Sequence, residues 1–105
     1  MAKVPDKVKK IIDKYLIALR DNNIAVNQAI LFGSYAKGNY DAWSDIDLVL
    51  VSEVFEGIRI KDRGKIRLIT LNVSSDIEVL PYCPKDFNSD DPFVKEIIET
   101  GIKIK

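Results

Sequence analysis

Apolar residues recur along this chain in two periods, and the switches between them mark its elements. From Lys7 to Asp21, Val8, Ile11, Ile12, Tyr15 and Leu19 lie three and four residues apart, while Lys9, Lys10, Asp13, Lys14 and Arg20 take the other side. The spacing predicts an amphipathic helix with Asp6 as its N-cap, ended by Asp21-Asn22-Asn23. Val26 to Phe32 reads as a first strand whose apolar run Ile30-Leu31-Phe32 stops abruptly at Gly33-Ser34. Tyr35-Ala36-Lys37 then starts a short helix, which makes the stretch strand, tight turn, helix. The polar loop Gly38-Asn39-Tyr40-Asp41 leads to a second strand over Asp45 to Ser52.

Residues Glu53 to Gly57 form a loop, and the next stretch sets two periods against each other. Arg59, Lys61, Arg63, Lys65 and Arg67 alternate as in a strand, yet Ile66, Ile69, Thr70 and Val73 fit a helix face. A helix over about Lys61 to Leu71, with Gly64 inside it, makes a strand-helix-strand crossover, so the strand that follows runs parallel to the second. That third strand is Asp76 to Leu80, stopped by Pro81-Tyr82-Cys83-Pro84. Asp91 then caps a last helix with Pro92 at its first position, Phe93, Ile97 and Ile98 on its buried face and Gly101 as its stop. Ile102 and Ile104 alternate with lysines in a short edge strand.

Two places in this layout call for chemistry. A glycine after the first strand lets the backbone approach a ligand, and the free N–H groups of the new helix, with the Ser34 hydroxyl, suit a phosphate. Ten residues later, Asp45 and Asp47 share one face of the second strand while Ile46, Leu48 and Leu50 point the other way. Two like charges about 4 Å apart repel by about 4 kcal/mol at an effective dielectric near 20, and a divalent cation reverses that sign. Aspartate oxygens suit Mg²⁺, which shares its coordination with substrate phosphates, so phosphate turn and acid pair fit one substrate.

Gly33-Ser34, ten intervening residues and Asp45-x-Asp47 resemble the signature of the DNA polymerase beta-like nucleotidyltransferase superfamily. The short chain is similar to its minimal nucleotidyltransferases (MNT), whose GSYARG segment is matched by Gly33-Ser34-Tyr35-Ala36-Lys37-Gly38. Lys37 stands where arginine is usual. The resemblance also implies a third acid between apolar residues on a neighbouring strand, met by Ile77-Glu78-Val79 with glutamate where aspartate is commoner. By period two, Glu78 shares a face with Asp76 and Leu80 and reaches toward the acid pair.

The implied fold is α/β (α+β): one domain over residues 1–105, with a small mixed sheet of three to four strands, helices packed on it, and a polymerase beta-like palm. The implied reaction moves AMP from ATP to an acceptor hydroxyl. Asp45, Asp47 and Glu78 hold two Mg²⁺ ions and carry the catalysis, and Gly33, Ser34 and Lys37 place the triphosphate. Proteins of this kind are often paired with a helical HEPN-domain toxin, which makes an antitoxin that adenylylates a toxin hydroxyl the leading expectation. A non-catalytic binding module is the competing class, and transfer to a small molecule a third.

Composition narrows this picture. The chain has 105 residues, and 47% apolar content supplies one modest core, so any acceptor site is shallow or borrowed. Sixteen basic and sixteen acidic side chains cancel, which disfavours a nucleic-acid partner and leaves self-association open. Lone Cys83 and the lack of histidine remove disulfides, cysteine zinc sites and Ser-His-Asp chemistry. No segment approaches eighteen consecutive apolar residues, and the expectation is a cytoplasmic protein away from membranes. The cations of 59–67 are expected to be a hydrated helix surface, and Trp43 either a cover for the base or a structural lid.

Overall fold

A computed structural model of the chain describes residues 4–105. Its elements are α1 (Asp6–Asp21), β1 (Gln28–Phe32), α2 (Ser34–Lys37), β2 (Ile46–Val51), α3 (Arg59–Val73), β3 (Ile77–Tyr82), a 3-10 turn at Pro84–Asp86, α4 (Pro92–Thr100) and β4 (Ile102–Lys103). The strands make one mixed sheet in the order β3-β2-β1-β4. β1 pairs antiparallel with β2 and with β4, whereas β2 and β3, joined by the α3 crossover, are parallel as expected.

Period two sorts the strand residues onto two faces. Ala29, Leu31, Ile46, Leu48, Leu50, Ile77 and Val79 are buried together with Val8, Ile12, Tyr15 and Leu19 of α1 and Ile66 of α3. The Tyr15 hydroxyl pairs with that of Thr70 at 2.6 Å, pinning the two helices to each other, and burial pushes its pKa up to about 12. The opposite face buries Ile30, Val49, Val51 and Tyr82 against Val94 and Ile97 of α4. Truncating a leucine such as Leu48, which is wholly buried, to alanine costs about 2–5 kcal/mol. Nine-residue α4 covers that second face incompletely, so polar side chains can live on it.

Several boundaries differ from expectation for local reasons. Pro5, not Asp6, occupies the N-cap of α1, and Asp6 begins the helix without a capping hydrogen bond. α3 is longer at both ends than 61–71. β3 runs through Pro81 to Tyr82, because β3 is an edge strand. Asp76 and Tyr82 offer their carbonyls to Ile46 and Ser52 of the neighbouring chain segment, so by alternation Pro81 turns its nitrogen outward, where no ladder bond is lost. In α4, Asp91 accepts from the N–H of Phe93 at 2.8 Å as the expected cap, but Val94 takes the buried place assigned to Ile98, and Phe93 and Ile98 are exposed.

One buried charge organises the approach to α3. Asp62 has no exposed surface and accepts from the backbone N–H of Glu56 at 2.8 Å and of Gly57 at 2.9 Å. Lys65 lies 3.6 Å from it, while also pairing with Glu56 at 2.9 Å and donating to the Val54 carbonyl at 2.6 Å. The loop after β2 is thereby tied to the helix that returns the chain to β3. No described helix is long and apolar enough to cross a membrane.

Candidate active site

Register builds the site. Phe32 lies opposite Asp47, and Asp47 opposite Glu78, so the ends of three adjacent strands meet in one row. Asp47 and Glu78 have the parity of Val49 and Leu80 and therefore share the α4 face of the sheet. Asp45 lies just ahead of β2, exposed; Asp47 is half-buried and Glu78 exposed. The three carboxylates predicted from sequence line one cavity of about 360 Å³, together with Phe32, Val79, Leu80 and Arg63.

The phosphate turn lies against this row. Gly33 has φ 74° and ψ −150°, a region that side chains other than glycine's disfavour, and a Cβ there would collide with the Asp47 carboxylate. Gly33 thus permits both the sharp change from strand to helix and the approach of Asp47. α2 is a single turn, closed by Lys37 N–H to the Gly33 carbonyl at 3.0 Å and Gly38 N–H to the Ser34 carbonyl at 2.9 Å. Tyr35 and Tyr40 stack with centroids 4.7 Å apart, fastening the following loop to α2. Ser34 and Lys37 are outside the cavity wall, with Lys37 exposed.

Burial, and then the negative charges of Asp45 and Glu78, hold the Asp47 carboxyl above its ordinary pKa. Among the described residues, no three such side chains converge tightly enough to enclose an ion by themselves. The acids form an open rim that suits a cation completed by phosphate oxygens and water.

Arg63 is exposed, as expected of a hydrated helix surface, and it also lines the acid cavity, with no carboxylate within 4 Å among the described residues. The only sequence signal for it is membership of the cationic run. Trp43 is 91% exposed, so it is no structural lid on this chain's own core, and its backbone N–H is held by Asp41 at 2.8 Å. Cys83 is buried, and its thiol, pushed up by burial, donates to Asp86 at 3.1 Å.

Residues 12–104 match the model of the nucleotidyltransferase domain family. A protein of Methanocaldococcus jannaschii that bears the provisional name protein adenylyltransferase is 35% identical over 82 residues, 75% of this chain and 79% of that one. Among solved structures, a toxin-antitoxin complex with AMP-PNP aligns with TM-score 0.61 at 21% identity, covering 89% of this chain and 71% of its counterpart. A mutant MntA-HpeT toxin-antitoxin complex gives 0.62 at 18% identity, with the same coverage. A provisionally assigned nucleotidyltransferase from Sulfolobus solfataricus gives 0.53 at 16% identity over 98% of this chain and 89% of that one.

Proposed function

Because this chain belongs to the nucleotidyltransferase domain family, we propose that it is an antitoxin enzyme that transfers AMP from ATP to a hydroxyl of a HEPN-domain toxin. The observation that carries this reading is the convergence of Gly33, Asp45, Asp47 and Glu78 at the ends of three adjacent strands. The provisional name of the archaeal relative and the toxin-antitoxin complexes among the fold neighbours support it. The setting is the cytoplasm, where ATP and a cognate toxin meet.

Gly33 and Ser34 place the triphosphate through backbone N–H groups and the hydroxyl, and Lys37 screens its outer charge. Asp45, Asp47 and Glu78 would hold Mg²⁺, which when bound neutralises phosphate charge and polarises the acceptor hydroxyl. Glu78 receives the acceptor's proton. The acceptor oxygen bonds to the α-phosphorus as the bond from that phosphorus to the β-phosphate bridging oxygen breaks, and pyrophosphate leaves with the bonding pair. The negative charges of Asp45 and Glu78 beside the Asp47 carboxylate favour a cation there.

The test is the intact mass of the neighbouring gene's product after incubation with this chain, ATP and Mg²⁺, beside an Asp45→Asn/Asp47→Asn control. One or more added AMP units, absent in the control, are expected. A stable complex without any mass gain would reduce the protein to a binding module.

A further inference from the structure

A second cavity, about 470 Å³, runs between α3 and the outer edge of β3. Arg63, Glu78 and Val79 line it as well as the acid cavity, so the two open into each other around the edge strand. Its other walls include Ile60, Arg67 and Leu71. Ile60 and Leu71 are large apolar side chains left 87% and 52% exposed. Gly64 also lines the groove, and a Cβ on it would meet nothing within 4 Å. A glycine inside a helix costs about 1 kcal/mol relative to alanine, and packing does not explain it here.

The strand order gives this groove a direction. The phosphate turn follows β1, the acid pair belongs to β2, the third acid to β3, and the groove lies beyond β3. In-line displacement places the incoming hydroxyl and the leaving pyrophosphate on opposite sides of the transferred phosphorus. With pyrophosphate toward the β1 side, the acceptor enters from the β3 side, where the groove opens.

The walls also select the kind of acceptor. Since Asp76 and Tyr82 bond inward, the N–H and C=O groups of Ile77 and Val79 point outward along the free edge. Unpaired main-chain groups of this kind take an extended polypeptide as an added strand. Arg63 and Arg67, one helical turn apart, have no ion-pair partner among the described residues. Of the other cations on α3, Lys65 is paired with Glu56, Arg59 lies over the Tyr82 ring at 5.8 Å, and Lys61, also without an ion pair among the described residues, does not line the groove. We propose that the groove between α3 and the edge of β3 docks the acceptor-bearing segment of the partner protein, an extended stretch with apolar anchors for Ile60 and Leu71 and carboxylates for Arg63 and Arg67. This assignment rests on the adenylyl-transfer reading for its direction, but its occupancy can be measured independently.

Two measurements with the neighbouring gene's product test it. In the first, Arg67→Glu raises KM for that protein about tenfold or more, leaves affinity for AMP-PNP within about twofold, and is rescued by Arg67→Lys. An unchanged KM, or a parallel loss of AMP-PNP affinity, overturns the proposal. In the second, a photo-crosslinking residue at Leu71 captures an acidic segment of the partner, located by mass spectrometry. If the wild-type chain transfers no AMP, the adenylyl-transfer reading fails and this crosslink alone decides the groove. A crosslink sustains the docking site; its absence, or its loss to a competing oligonucleotide, overturns it.

Discussion

Asp47 sits where burial and neighbouring acids both disfavour its charge. Its carboxyl is held above its ordinary pKa by burial first and by Asp45 and Glu78 next. A carboxyl with a raised folded-state pKa binds more protons folded than unfolded, so stability falls as pH rises between the unfolded value and the raised one. The metal-free protein should therefore lose stability on passing upward through and just above the ordinary carboxylate range. Asp47→Asn should flatten that part of the profile, raise neutral-pH stability and abolish AMP transfer, as checked by urea denaturation across pH and by the mass assay. Gly33→Ala meets both a positive φ and the Asp47 carboxylate, and should cost about 1–3 kcal/mol and weaken AMP-PNP binding, measured by denaturation and calorimetry.

At the scale of elements, the strands and the turn are legible in the sequence because their signals are local. Ile46, Leu48 and Leu50 alternate with Asp47, and Gly33 interrupts an apolar run, so the relation of turn to acid pair can be read within twenty residues. In α3 the inner face is legible, since Ile66 is buried and Ile69, Thr70 and Val73 turn toward α1 and the core as their spacing predicts, but the rest is not: Ile60, Leu68 and Leu71 face solvent while Asp62 is wholly buried. Arg63 is hidden for the same reason, since only the packing of α3 across β3 selects it from five cations. Asp62→Ala should strip the Glu56 and Gly57 N–H groups of their acceptors and leave Lys65 without one of its two carboxylates. A loss of about 1–3 kcal/mol is expected, with earlier hydrogen exchange at residues 56 and 57 than elsewhere in the loop.

The whole molecule is a slab, 33 × 33 × 21 Å, with both helical layers thin and the acid row at one border of the sheet. A chain with formal net charge zero exerts little long-range pull, so the proposed recognition depends on local charge at the acid row and on α3. ATP with Mg²⁺ binding only the folded state stabilises it by RT ln(1 + L/Kd), L being the free ligand concentration, and each kcal/mol so gained should raise Tm by roughly 4–8 °C. In differential scanning calorimetry, Asp45→Asn/Asp47→Asn should lose that increment, and removal of Mg²⁺ with EDTA should reverse it in the native protein.

Pro81 bears on how such a small slab stays dispersed. An incoming strand from a second copy finds outward main-chain donors at Ile77 and Val79 and then a proline ring, which has none. Pairing can start there but cannot propagate, so stacking of copies into fibrils stops at its first step. The molecule can lend its border to a foreign chain without seeding its own polymerisation.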